Sequence, residues 1–132
     1  MTARGDFDVK VSPQPTANPA DKALGRMSID KQYHGDLAGT GTGEMLTAGT
    51  GAKGTSGGYV AIEHVSGTLH GRSGSFILQH SGTMTRGEPH LTITVVPDSG
   101  TEQLTGLAGK LTINIVDGKH SYVFDYTLAE NH

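Results

Sequence analysis

Cysteine and tryptophan are both missing from this chain. Without cysteine there is no disulfide framework and no thiolate chemistry; that fits a cytoplasmic protein. Clustered charge is missing too. The formal net charge is −3, and the ten lysines and arginines are scattered. Binding a phosphate backbone requires a basic patch, so nucleic acid is not an expected partner. No apolar run approaches the roughly 18 residues needed to cross a membrane. Residues Met1 to Lys10 hold no apolar signal core. The chain is therefore expected to have no membrane partner.

Glycine and threonine are abundant. Twenty of the 132 residues are glycine, about twice the usual ~7 %, and sixteen are threonine. With the valines, this composition suits strands and turns and disfavours helices. The length suits one domain, residues 1–132, with a single core.

The stretch from residue 57 to residue 84 organises the rest. Two β-rich runs flank His70-Gly71, a break that reads as a tight hairpin turn. If Leu69 faces Arg72, facing residue numbers sum to 141. Strand side chains alternate. Tyr59, Ala61, Glu63, Val65 and Leu69 then share a face with Arg72, Phe76, Leu78 and His80. Val60, Ile62, His64, Ile77 and Gln79 take the other face.

Other segments alternate in the same way. Asp6 to Val11 reads as a strand, and Pro13, Pro15 and Pro19 mark a loop. Leu24 to Tyr33 and Asp36 to Thr47 read as a second hairpin, with His34-Gly35 turning the chain. If Tyr33 faces Asp36, Met27 and Ile29 share a face with Ala38, Thr40, Thr42 and Glu44, leaving Gly39, Gly41 and Gly43 opposite. Residues 48–58 form a loop. Its Gly49-Thr-Gly51-Ala-Lys-Gly54 fits the dinucleotide pattern only by chance, because no helix opens on those glycines. Thr85 to Pro89 turns the chain into a strand from His90 to Val96. Thr101 to Leu104 is predicted to make one helical turn, capped by Asp98 or Ser99. Leu107 to Val116 and His120 to Leu128 form the last hairpin around Asp117-Gly118.

The count is eight strands joined by mostly short connections. A closed antiparallel up-and-down barrel is favoured over a two-sheet sandwich, because the meander is local and glycines interrupt strands where a barrel must coil. Such a barrel is filled by side chains or holds one small ligand.

Four strings carry a resemblance: Gly-Asp-Leu-x-Gly-Thr-Gly-x-Gly-Glu-Met at 35–45, Gly-Tyr-Val-Ala-Ile-Glu at 58–63, Gly-Thr-Leu-His-Gly-Arg-x-Gly-Ser-Phe-x-Leu-Gln-His at 67–80 and Val-Pro-x-Ser-Gly-Thr at 96–101. They resemble a family of small bacterial proteins whose domain has no known function. That family is similar in fold to the allene oxide cyclase barrels. The closing segment, from Ser99-Gly100-Thr101 through Leu111 to Tyr122-x-Phe124-x-Tyr126-x-Leu128, is similar to the cyclases' closing strands. The resemblance implies an eight-stranded barrel, often oligomeric, and assigns no catalytic residue.

Glu63 and His80 are the candidate chemical groups. Placed diagonally on one face, they could form a general acid/base pair in an apolar barrel. Equally, they could form an internal ion pair that fixes register. Tyr59, Glu44, Tyr126, Phe76 and Tyr122 are expected to line the same interior and meet a ligand. A second interior carboxylate, Glu44, would suit glycoside hydrolysis, but no tryptophan offers a sugar platform. The seven histidines lack the spacing of a zinc site, so no metal and no cofactor is expected. Arg72 would sit at the rim.

These features support three readings. One is a barrel that binds a small, largely apolar ligand. Another is a cofactor-independent isomerase or cyclase in which Glu63 or His80 moves a proton. The third is a structural oligomer with a filled barrel. Val60, Ile62 and Ile77 fall on the outer face, which favours a homo-oligomer, dimer or trimer.

Overall fold

The structure is a computed structural model that describes residues 1–49 and 54–128. Eight antiparallel strands follow one another around a closed barrel. They are β1 (Thr2–Gln14), β2 (Leu24–Gly35), β3 (Leu37–Ala48), β4 (Gly57–Leu69), β5 (Arg72–Thr85), β6 (Glu88–Val95), β7 (Leu107–Val116) and β8 (Lys119–Leu128). Strand β1 closes the barrel by pairing with β8, from Thr2 opposite Asp125 to Phe7 opposite His120. Among the described residues the helical content is one 3-10 turn, Glu102–Leu104. No helix among the described residues is long and apolar enough to cross a membrane.

Three hairpins turn on two residues, both with positive φ: His70-Gly71, Arg86-Gly87 and Asp117-Gly118. This geometry matches the right-handed twist of the strands it joins. It also fixes register. Leu69 faces Arg72 across β4 and β5, as the alternation predicted, and Val116 faces Lys119 across β7 and β8, as the Asp117-Gly118 turn requires. The β5–β6 turn is tighter than expected, since Thr85 already pairs with Glu88.

The β2–β3 register departs from the sequence expectation. Tyr33 faces Gly39, not Asp36. A three-residue shift is odd, so every β3 side chain changes face. The cause lies in distant strands. The Tyr122 hydroxyl accepts the Leu37 N–H at 2.9 Å and sits 2.9 Å from the His34 carbonyl, holding the connection wide. Asp36 is drawn onto β1, where its N–H donates to the Arg4 carbonyl and its carboxylate accepts the Arg4 N–H. Gly35, at φ +102°, makes the bend.

The two ends of the barrel differ. At one end, where residues 34–38 and 70–71 turn, the chain between β6 and β7 forms a plug. Strand β5 has 14 residues and β6 has 8, so part of β5 lacks a neighbour. Polar side chains fill in for the absent strand. Ser99 Oγ, Thr101 Oγ1 and Gln103 Oε1 accept the N–H groups of Ile77, Ser75 and Ser73 at 3.0, 3.0 and 2.8 Å. Ser99 is thus spent on β5, and the helical turn starts at Thr101 without a side-chain cap, contrary to the predicted Asp98 or Ser99 cap. Leu104 seals this end with Leu37, Leu69 and Tyr122, each at most 1 % exposed.

At the other end, the mouth, the connections at 15–23, 86–87 and 117–118 meet. Positions 50–53 of the expected loop lie outside the described residues, and with them the inner part of the glycine pattern.

Candidate functional site

Between plug and mouth, four polar side chains meet inside the barrel. Glu63 is fully buried at the centre. Its Oε1 accepts from Lys31 Nζ at 3.0 Å and from His80 Nε2 at 2.9 Å. Its Oε2 accepts from the Tyr33 hydroxyl at 2.5 Å. A carboxylate can only accept, so all three neighbours donate. Lys31 Nζ also lies 4.9 Å from the centre of the Phe7 ring, a favourable place for a cation. No enclosed side-chain nitrogen or oxygen among the described residues lacks a partner.

The local sequence makes this meeting possible. Lys31 and Tyr33 stand on β2, Glu63 on β4, two strands apart and so separated by roughly 10 Å of sheet. Strand β3 lies between them and turns Gly39, Gly41 and Gly43 inward. The side chains reach each other over bare backbone. At Gly41 a Cβ would lie 2.1 Å from Glu63 Oε2 and 3.1 Å from the Tyr33 ring.

Electrostatics follow from this geometry. Burial pushes the Glu63 carboxyl up, but the hydrogen bond from His80, the charge of Lys31 and the hydrogen bond from Tyr33 together outweigh burial. They hold it below the usual carboxylate range. Burial and the neighbouring carboxylate both push the Tyr33 hydroxyl up, so it stays a donor. An ion pair inside a barrel is costly to desolvate and disruptive to break.

The expected site residues divide between locations. Glu63 and His80 are together, diagonal across β4 and β5 as their register required. Glu44 is outside. The β2–β3 shift turns it outward, 60 % exposed at its side chain and paired with Arg26. Placing Glu44 in the interior was therefore wrong, and with it falls the second interior carboxylate. Phe76 stacks on Phe124 in the core, with centroids 5.8 Å apart. The Tyr126 hydroxyl meets His70 Nδ1 toward the plug, and Tyr122 ties the β2–β3 connection. Arg72 is exposed at the plug-end hairpin tip. Tyr59 stays beside the cluster, where burial first and the Glu63 charge second raise its hydroxyl above the usual tyrosine range. Lys31 escaped the sequence reading. Its signal was a lysine on the inward parity between Ile29 and Tyr33. Among the described residues no group of His, Asp or Glu is arranged to hold a metal.

Above this cluster the described residues do not fill the interior. Val11, Met84, Leu91 and Ile115 have the inward parity of their strands, yet are 40–63 % exposed. Beside them is a pocket of about 580 Å³ formed by β3 to β6, with Met45, Tyr59, Gly82, Met84 and Leu91 in its wall. The Tyr59 ring lies over Gly82, where a Cβ would come within 2.5 Å of Cε1. Apolar wall, one tyrosine and this volume match the general make-up of small-molecule sites.

Comparison with known proteins places the chain. The family model described as "Protein of unknown function (DUF3224)" matches residues 3–126. Among solved structures, a protein of unknown function from the DUF3224 family of Shewanella oneidensis MR-1 is similar, with 46 % identity and a TM-score of 0.92. The match covers 99 % of this chain and 98 % of that one. No curated protein matches the sequence. With its family model matched over nearly its whole length and a relative sharing both sequence and barrel, the chain belongs to the DUF3224 family.

Proposed function

We propose that this protein binds one small, largely apolar molecule in the mouth of its barrel. One observation carries the reading: Val11, Met84, Leu91 and Ile115, apolar and of inward parity at the mouth, are 40–63 % exposed, whereas Leu37, Leu69 and Tyr122 at the plug are at most 1 % exposed. Exposed apolar surface inside a concavity gains free energy when a ligand covers it, roughly 25 cal/mol per Å². Uptake of the dye Nile red tests it. The parent should enhance and blue-shift the dye's fluorescence. Leu91→Asp, which sets a charge in the pocket wall, should lower dye affinity at least tenfold without changing the circular dichroism spectrum. Equal uptake by both proteins, or none by the parent, would reject the reading.

The isomerase or cyclase reading is weaker. Glu63 is already occupied by three donors, and the cluster is closed off from water. A resting general base would have to lose a partner before it could take a substrate proton. The cluster is better suited to holding β2, β4 and β5 in register.

A homo-oligomer, dimer or trimer, fits the outer surface. Leu46, Val60 and Ile62 form an apolar stripe across β3 and β4, 50–56 % exposed. Contiguous exposed apolar surface of this kind favours self-association.

A further inference from the structure

The chemistry of the mouth pocket narrows its ligand further, an inference that rests on the pocket being the binding site. The described lining residues include no Asp, Glu, Lys or Arg, and one titratable base, the exposed His90. Tyr59 is half-buried, and its hydroxyl makes no hydrogen bond to any described residue. Its nearest strong charge is the Glu63 carboxylate, which Lys31 neutralises. This hydroxyl is therefore a proton donor without an acceptor among the described residues, at the wall between the pocket and the ion pair. Thr47 and Thr83 also line the pocket.

We propose that the pocket takes a neutral aliphatic molecule bearing one hydrogen-bond acceptor, such as a ketone or ester carbonyl, and that the Tyr59 hydroxyl donates to that oxygen. An alkane would fill the same volume and leave the hydroxyl unpaired, which is costly once water is displaced. An alkanoate would bring a charge into a wall with no lysine or arginine among its described residues, whose one basic side chain is the exposed His90 at the rim, and a buried unpaired charge costs more still. Burial and the Glu63 charge both hold the Tyr59 proton in place across the physiological range, so donation does not depend on pH there.

Competition against Nile red with three probes of equal chain length tests this: 2-decanone, decane and decanoate. In the parent, 2-decanone should displace the dye at the lowest concentration, about 2- to 10-fold below decane, the ratio expected from one hydrogen bond. Decanoate should be the poorest. In Tyr59→Phe the ketone should lose that advantage while decane is unchanged. Gly82→Ala, which pushes the ring aside, should weaken the ketone in the same direction. Equal affinity for ketone and alkane, tightest binding of decanoate, or a ketone preference that survives in Tyr59→Phe would overturn the ligand class and leave the pocket standing. Failure of all three probes and of the dye itself would instead overturn the pocket.

Discussion

The plug and the mouth are built from the same eight strands, yet one is finished and the other is not. At the plug, β5 outruns its neighbour, and the segment from Val96 to Leu104 repairs the loss. Its side chains satisfy the β5 backbone, and Leu104 fills the opening. At the mouth, Met84 and Leu91 face inward, each about 40 % exposed, and no plug comparable to Leu104 covers them among the described residues. A barrel that needed only stability would bury both ends. The contrast teaches that one end is closed by apolar packing, while the other leaves apolar surface that the proposed ligand would cover.

The largest expected effect comes from breaking the cluster that separates the two ends. Glu63→Ala leaves the Lys31 ammonium buried without its anion. It should destabilise the protein by about 3–5 kcal/mol, a large share of the 5–15 kcal/mol typical of a domain. Removing both charges, as Lys31→Met with Glu63→Leu, should recover most of that loss, because an apolar replacement does not have to be desolvated. Urea unfolding followed by circular dichroism measures all three. If the double variant is no more stable than Glu63→Ala, the cluster's role is not the burial of a matched pair.

The same carboxylate gives a pH signature. Its folded pKa lies below the ordinary value, so the unfolded chain binds its proton first as pH falls. Its contribution is fully present above the ordinary glutamate pKa of about 4.3. It is lost as pH drops through the folded value beneath. Parent and Glu63→Gln stability curves should therefore converge as pH is lowered below about 4. Parallel curves over that range would show that Glu63 is not the titrating group.

A smaller effect comes from one substitution made at both ends. Leu104→Ala opens the plug and should cost about 2–3 kcal/mol, the lower part of the range for buried leucines, because a single helical turn can settle into the gap. Leu91→Ala removes a side chain already 40 % exposed and should cost about 1 kcal/mol or less. Dye uptake should respond in the opposite order, strongly to Leu91 and weakly to Leu104. Equal losses of stability at the two ends would erase the distinction between plug and mouth.

The β4–β5 hairpin shows how much could be read without coordinates. The alternation of Tyr59, Ala61, Glu63 and Val65, with Phe76, Leu78 and His80 opposite, sufficed to pair Glu63 diagonally with His80. Its two-residue turn leaves few alternative registers, and a slip would expose Phe76 and Leu78. The β7–β8 hairpin was legible for the same reason. The β2–β3 hairpin was not, although its alternation is as regular. Its register depends on the hydroxyl of Tyr122, 85 positions from Leu37, and on the Asp36 contacts to β1. Neither partner is local.

What the sequence determined by itself is the meander, the eight strands and the faces of the β4–β5 and β7–β8 hairpins, because side-chain period and turn conformation are short-range properties. Tertiary structure alone decided which face of β3 is inside. That choice sent Glu44 out to Arg26 and brought Gly41 in beneath Glu63, admitting Lys31 and Tyr33 to the cluster. The physical reason is that a strand's two faces are distinguished by what packs against them. Here that depended on a tyrosine from the last strand and on the backbone of the first.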